Sequence, residues 1–245
     1  MTAMVSTVLR DPRAFLLPVV GCAVLTAATL VGGCSRAING SPQSAEPEAS
    51  PAKPIPVADL LIEPTRFPAH YPAVVLGPQD VDRVLHEIDG VPAGSVVTPP
   101  ECAPPPTAPN SAAVQGTDPD SGASLVVTVT RPAPSLRARV DQLADCSSFT
   151  SAAGGDVSQV SEVTVDLPPA PPVDADDTYA VDQTVTSESS GTGDTRMLTL
   201  IALIDDARVT ASWRQQDASD TSPDTPALDS LFTEAVLNVR ALIPR

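Results

Sequence analysis

Alternating apolar and polar residues predict strands over much of the second half of the chain. Residues 160–167 and 179–186 both alternate in this way, which is typical of strands with one buried face. The segment Ser124–Thr130 is rich in β-branched residues and predicts a further strand. Residues 196–204 form the most apolar of these segments, so we expect them at the centre of a sheet.

A hairpin is predicted at Asp205-Asp206, which separates residues 196–204 from a returning strand at residues 208–215. Because Asp-Asp is a less favourable two-residue turn than Asp-Gly, we expect the loop to be slightly longer than two residues. Residues 91–109 contain many prolines and are predicted to be irregular.

Helical spacing of apolar residues predicts three helices. The first begins at Gly77-Pro78, because proline suits a first turn, and ends at Asp89-Gly90. The second covers residues 132–149, and the third opens at Thr225-Pro226. The apolar faces comprise Val81, Val84, Leu85 and Ile88 in the first helix, Leu136, Val140, Leu143 and Cys146 in the second, and Leu228, Leu231, Phe232, Ala235, Val236, Val239 and Leu242 in the third.

These elements predict an α+β fold. We expect an antiparallel sheet with the helices packed on one face, and one disulfide bond.

The N-terminal segment has the layout of a bacterial export signal. Arg10 and Arg13 precede an uncharged stretch from residue 14 to residue 33, and Val31-Gly32-Gly33-Cys34 closes it. A Cys directly after small residues resembles a lipobox, where signal peptidase II cuts and the new N-terminal Cys receives lipid. The resemblance implies a signal peptide over residues 1–33. It also implies acyl chains such as palmitate on Cys34, which would hold the protein on the outer face of the membrane.

Two alternatives to lipidation at Cys34 remain open. The uncharged stretch is long enough to span a bilayer as a retained anchor, although its one proline and its glycines lower its helix propensity. Cys22 follows a second lipobox-like sequence, but cleavage there leaves an apolar core of only about seven residues. We favour Cys34 on these grounds and on the count of cysteines.

The four cysteines pair consistently when Cys34 carries the lipid. Removal of Cys22 with the signal peptide then leaves Cys102 and Cys146, an even number in an oxidising compartment. We expect these two residues to form a structural disulfide, because redox-active pairs are more often arranged as Cys-x-x-Cys.

Composition divides the exported chain into a spacer and a domain. Residues 34–58 comprise the acylated Cys and a segment rich in Pro, Ala, Ser and Glu. This segment has almost no large apolar side chains, so we expect it to be a disordered tether. Residues 59–245 are predicted to form a single extracytoplasmic domain. The formal net charge of −16 excludes nucleic acid as a partner, because such a surface repels phosphates.

No catalytic, metal-binding or cofactor-binding pattern is present in the sequence. His70 and His86 lack the local spacing of metal ligands, and no nucleophile elbow or phosphate-binding glycine loop appears. Asp174, Asp176 and Asp177 lack the rest of a calcium loop and are interpreted as a solvated loop. Trp213, the single tryptophan, is interpreted as a core residue, with a ligand-facing ring as the alternative.

The overall outline resembles a group of uncharacterised mycobacterial lipoproteins. The likeness rests on Pro100-Glu101-Cys102, on the segment around Asp145-Cys146, and on the hairpin and helix that end the chain. The same outline is similar to the extracellular sensor domain of a mycobacterial receptor Ser/Thr kinase. The resemblance implies a domain that senses or binds a ligand, although the kinase domain carries two disulfides and this chain can form one.

The sequence therefore predicts a lipid-anchored envelope lipoprotein with a non-enzymatic binding or sensor-like domain. Its expected partners are the membrane, through the acyl chains, and a lipid, glycan or protein of the cell envelope. Two alternatives remain: an envelope enzyme whose site assembles only in three dimensions, and a structural envelope protein. A cleft that joins His70 or His86 to a carboxylate and a hydroxyl would favour the enzyme.

Overall fold

A computed structural model describes residues 55–155, 160–187, 193–217 and 222–243. The predicted signal peptide, Cys34 and almost all of the predicted tether lie outside these residues. The described residues belong to one compact unit, Ala52–Arg245. Ile55 already packs against the core of this unit, four positions before the predicted start of the domain.

Nine strands of the described residues form one antiparallel sheet in the order β1-β3-β4-β9-β8-β7-β6-β5-β2. The central position of the most apolar strand, β8, is confirmed, since it is fifth in this order. The strands are β1 (Ala73–Val75), β2 (Val96–Thr98), β3 (Ser111–Thr117), β4 (Ser124–Thr130), β5 (Ser148–Ala152), β6 (Val160–Asp166), β7 (Asp177–Ser187), β8 (Thr195–Ile204) and β9 (Ala207–Gln216).

The β8–β9 hairpin has a two-residue turn, so the prediction of a longer loop was wrong. Ile204 pairs directly with Ala207, which leaves only Asp205 and Asp206 between the strands. Asp205 adopts a positive φ of 55°, a conformation that Asp tolerates better than most residues. Its N–H donates to Asp176, and the Asp206 carboxylate accepts a hydrogen bond from Arg131. These tertiary contacts hold a turn that its local sequence favours only weakly.

Three α-helices of the described residues accompany the sheet: α1 (Pro78–Ile88), α2 (Arg137–Asp145) and α3 (Thr225–Leu242). The first begins with proline after Gly77, as predicted. The third is capped by the Asp224 carboxylate, which accepts from the N–H of Ala227. None of the described helices is long and apolar enough to cross a membrane.

The second helix is shorter than predicted. It starts only after Pro134, because a residue that precedes proline is disfavoured in helical conformation. It ends at Asp145, and β5 follows within three residues. In β5, Phe149 and Ser151 are buried and alternate with more exposed neighbours, which is strand periodicity.

Helices pack on both faces of the sheet, so the prediction of one covered face is not confirmed. Helix α3 lies on the face formed by Val127, Leu200 and Val209, which we call the α3 face. Helix α2 lies on the other, with Leu143 against Val181 and Ile201, and we call this the α2 face.

Helix α1 also lies on the α2 face, since its Val81 and Leu85 pack against Ala113. The register places Ala113 opposite Thr128, the neighbour of Val127 in β4. Both faces need cover because β8 buries Leu200 on one side and Ile201 on the other.

The buried stripe of α3 matches the prediction except at its end. Its residues from Leu228 to Val239 lie in the core, and Phe232 is fully buried. Leu242 was expected to be buried, but it is 40% exposed, and Ile243 is buried instead. The chain leaves helical geometry at Ile243, whose φ of −115° turns that side chain toward the core.

Candidate functional site

The α2 face contains a narrow cleft over the middle of the sheet. It lies between α1, α2, the proline-rich loop of residues 103–109 and strands β4, β9, β8 and β7, and its cavity volume is about 50 Å³. A space of this size holds about three to five water molecules. The residues that line it are Leu85, Ile88, Asp89, Pro105, Pro106, Thr107, Thr128, Arg139, Leu143, Tyr179, Val181, Gln183, Thr199, Ile201, Arg208 and Thr210.

The floor of the cleft is polar although it lies over the centre of the sheet. Thr128 of β4 lies directly opposite Thr210 of β9, and both are almost fully buried. Thr199 of β8 shares a hydrogen bond of 2.9 Å with Ser212 of β9. Hydroxyl groups therefore occupy positions that a sheet core normally fills with aliphatic side chains.

A chain of hydrogen bonds joins α1, α2 and the proline-rich loop. The Arg139 guanidinium donates from Nη2 to Asp89 Oδ1 at 3.0 Å and from Nη1 to Gln142 Oε1 at 2.7 Å. The Gln142 amide then donates to the carbonyl oxygens of Glu101 and Ala103, at 2.6 and 2.8 Å. This chain fixes the position of the loop that forms one wall of the cleft.

The disulfide holds the same wall. Cys102 and Cys146 form a disulfide bond with their Cα atoms 5.6 Å apart, as the cysteine count predicted. Cys102 lies in a 3₁₀ turn, Pro100–Cys102, just before the loop, and Cys146 is the residue that ends α2. The bond therefore connects the start of the loop to the helix that carries Arg139.

Asp89 places a carboxylate at the end of α1 beside two arginines. Burial raises the pKa of Asp89, while the positive charges of Arg139 and Arg208 oppose that rise. Gly90 follows with a positive φ of 69°, and a Cβ there would lie 3.3 Å from Val185 Cγ2. The turn that presents Asp89 to the cleft thus requires glycine at position 90.

Arg208 is the second cation in the cleft, and its charge acts on the Asp89 carboxylate without direct contact. It forms no ion pair or hydrogen bond with any residue in the described ranges, and its Nε is buried without an acceptor. The other cleft arginine, Arg139, is bound to Asp89, and its side chain is only 11% exposed. Satisfying a buried N–H is worth about 1–3 kcal/mol, so an acceptor that enters the cleft gains by binding Arg208.

Tyr179 and Gln183, both on β7, complete the polar lining. Burial raises the pKa of the Tyr179 phenol, so it stays protonated and can donate a hydrogen bond. Gln183 is 2% exposed, and its amide lies 3.5 Å from the carbonyl oxygen of Asp89. The cleft thus combines a phenol, an amide, hydroxyls and guanidinium groups, all of which can donate hydrogen bonds.

Neither histidine lines the cleft. His70 lies on the surface with its Nε2 3.2 Å from Asp224 Oδ2, and His86 Nε2 is 4.0 Å from Asp82 on the same helix. The arrangement that would have favoured the enzyme alternative, a cleft that joins a histidine to a carboxylate and a hydroxyl, is therefore not formed by these residues.

The remaining sequence candidates also have clear positions. Trp213 is 1% exposed and belongs to the core of the α3 face, so its ring does not face a ligand. Asp174 and Asp176 lie beside Arg240, whose guanidinium forms ion pairs with both carboxylates. No group of three or more His, Cys, Asp or Glu side chains among the described residues could hold a metal ion. Cys34 lies outside the described residues.

Sequence reasoning did not identify the cleft residues. Asp89, Arg139 and Arg208 are separated by 50 or more positions and meet only in the folded chain. One local signal was available: β9 alternates Ala207, Val209, Ala211 and Trp213 with Arg208, Thr210, Ser212 and Arg214. A central strand with one consistently polar side indicates a polar cavity on that side.

No protein-family model matches this chain, and no curated protein matches it in sequence. Among solved structures, the chain is similar to the X-ray structure of an uncharacterized protein from Mycobacterium smegmatis, an Rv0999 ortholog. The TM-score is 0.42 and the sequence identity 17%, and the similarity covers 72% of this chain and 92% of that chain. The interpretation of the cleft therefore rests on this chain's own residues.

Proposed function

We propose that this protein is a lipid-anchored lipoprotein of the bacterial cell envelope whose domain binds a small ligand in the cleft of the α2 face. The observation that carries the proposal is the cleft itself, with two guanidinium groups, a carboxylate and a phenol around a solvent-sized cavity. Polar groups that converge beside apolar side chains in a cavity are typical of ligand-binding sites.

The N-terminal sequence supports the location. A basic start, an uncharged stretch and Cys34 after two glycines resemble a lipoprotein signal, and a spacer rich in Pro, Ala and Ser follows. Such a spacer would carry the domain clear of the lipid head groups. The Cys102–Cys146 disulfide agrees with an oxidising compartment outside the cytoplasm.

The way in which the cleft is built supports binding as its role. The disulfide and the Gln142 hydrogen bonds fix one wall of the cleft before any ligand arrives. Preorganisation of this kind lowers the entropy that binding must offset. The resemblance of the outline to uncharacterised mycobacterial lipoproteins, and to the sensor domain of a mycobacterial receptor Ser/Thr kinase, supports the same class of function.

Membrane fractionation tests the anchor. We expect Cys34→Ala to move the protein from the membrane fraction to the soluble fraction in a bacterial host that lipidates exported proteins, and Cys22→Ala, the matched control, to stay with the membrane. Release of Cys22→Ala instead would place the lipid on Cys22. Retention of both variants would indicate an uncleaved membrane anchor, and either result would overturn the proposal for Cys34.

NMR mapping tests the cleft. We expect some members of a set of small neutral, anionic and cationic fragments to shift the amide signals of the cleft strands β4 and β9. Thr210→Phe should fill the cavity and abolish those shifts, whereas Thr186→Phe, on an exposed strand position, should leave them unchanged. If no fragment of any charge shifts these signals, the cleft is not a binding site.

A further inference from the structure

We propose that the cleft binds a small carboxylate, and that the Arg208 guanidinium is the group that receives it. This inference rests on the proposed function, since it names the ligand class for the same cleft. It is argued from the charge, the unused hydrogen-bond donors and the size of the cavity.

The unused donors belong to Arg208. A guanidinium has five N–H groups in a planar fork, which matches the two oxygens of a carboxylate. None of the five donates to a residue that the structure describes, and Nε is shielded from solvent. In contrast, the neighbouring Arg139 already binds Asp89 and Gln142. The geometry thus leaves one complete fork free in the cleft.

The sum of charges favours a monoanion. With Asp89 ionised, the charged side chains that line the cleft are one carboxylate and two guanidinium groups, which sum to +1. A bound carboxylate brings this sum to zero, whereas a phosphate dianion would leave an excess negative charge in a partly buried site. An uncompensated buried charge is costly, so the dianion should bind less well.

The size of the cavity and its apolar side chains limit the part of the ligand beyond the carboxylate. The cavity of about 50 Å³ admits only a few non-hydrogen atoms, about three to five water molecules in equivalent volume. Leu85, Ile88 and Leu143 lie beside the polar floor and offer an apolar contact surface. A short aliphatic carboxylate fits both features, either as a free acid or as the end group of a larger envelope molecule.

An NMR titration of the isotopically labelled full chain in detergent tests the ligand class. The probes are propionate, its neutral counterpart propionamide, propylammonium and inorganic phosphate. We expect propionate to shift the amide signals of Thr128 and Thr210, and the other three probes to bind at least about tenfold more weakly. For propionamide, this factor corresponds to the loss of a charge-assisted hydrogen bond. Propylammonium brings a like charge to Arg208, and a phosphate dianion leaves an excess negative charge in the cleft.

Arginine variants test whether Arg208 receives the carboxylate. Arg208→Gln should weaken propionate binding by about tenfold or more. Arg137→Gln, the matched control, removes the same charge from an exposed position at the start of α2 and should change the affinity less than about twofold. Melting temperatures of the unliganded Arg208→Gln and Arg137→Gln proteins, compared with that of wild type, establish that both variants are folded.

The outcomes separate this inference from the proposed function. Equal binding of propionate and propionamide, or full affinity in Arg208→Gln, overturns the carboxylate assignment while the cleft remains a binding site. If none of the probes, and no other fragment, shifts the cleft signals, both proposals fail. If Arg208→Gln does not fold, the comparison of propionate with propionamide on the wild-type protein still decides the ligand class.

Discussion

The two faces of the sheet are built from the same strands and differ in almost every other respect. In β4, Val127 and Val129 lie on the α3 face, while Thr128 and Thr130 lie on the α2 face. On β9, Trp213 likewise points to the α3 face and Arg208 to the cleft. All four β4 side chains are nearly fully buried, so burial alone does not distinguish the faces.

This difference between the two faces indicates two roles, one face for stability and the other for binding. On the α3 face, aliphatic and aromatic side chains meet one long helix, and this region contains the largest buried cluster of the described residues. On the α2 face, two shorter helices and a loop cover a polar floor incompletely, and the gap between them is the cleft. One face can therefore supply most of the hydrophobic stabilisation while the other keeps polar groups available.

The largest expected effect comes from removal of the disulfide, which acts on the α2 face. We expect the double variant Cys102→Ala, Cys146→Ala to lose up to about 4 kcal/mol of unfolding free energy, because the bond closes a loop with a sequence separation of 44 residues. Guanidinium chloride unfolding measures this loss.

Hydrogen exchange in the same double variant compares the protection of amides on the two faces. Amides of α2 should lose more protection than those of α3, since the bond is attached at the end of α2 and holds the cleft wall but not the α3 face. Uniform loss of protection on both faces would contradict the comparison.

A pair of nearly isosteric exchanges in β4 should give an intermediate effect. Val127→Thr buries a hydroxyl in the apolar cluster and should cost about 1–3 kcal/mol. Thr128→Val, its neighbour on the cleft floor, should change stability by less than about 1 kcal/mol, because its hydroxyl lines the cavity. Urea unfolding of both variants measures the difference, and equal costs would show that the two faces do not differ in this way.

The smallest expected effect is a change in the pH dependence of the unfolding free energy when Asp89 is replaced. Since burial raises the pKa of this carboxyl above its usual 3.8, the folded chain keeps the proton to a higher pH than the unfolded chain does. Its contribution to stability is therefore full below pH 3.8 and is lost as the pH rises through the folded pKa. The variant Asp89→Asn should lack this pH-dependent contribution to the unfolding free energy.

Urea unfolding over a series of pH values measures this effect. The difference in unfolding free energy between wild type and Asp89→Asn should fall as the pH rises. A difference that stays constant, or that grows with pH, would show that Arg139, Arg208 and His86 outweigh burial at this carboxyl.

Local patterns predicted the elements that carry strong periodicity. The helix that begins at Pro78, the strand Ser124–Thr130 and the β8–β9 hairpin all lie where the spacing of apolar residues placed them. The paired cysteines followed from counting and are joined in the structure. In each case the information lies within one short segment or in the composition of the chain.

The elements that the sequence did not predict depend on their neighbours. Strands β1 and β2 have three residues each, too few for a period to appear, and they exist because β3 and β5 offer partners. Strand β3 contains two alanines and a glycine, and its weak strand propensity is outweighed by seven paired positions with β4.

The sequence by itself determined the periodic helices and strands, the strong negative charge and the pairing of Cys102 with Cys146. Only the tertiary structure decided that helices cover both faces and that Asp89, Arg139 and Arg208 meet over the polar floor of the sheet. The physical reason is that periodicity records which side of an element is buried, whereas a cleft depends on what covers that side. For Arg208, the sequence gives a place on a strand, and the fold leaves its guanidinium without a partner.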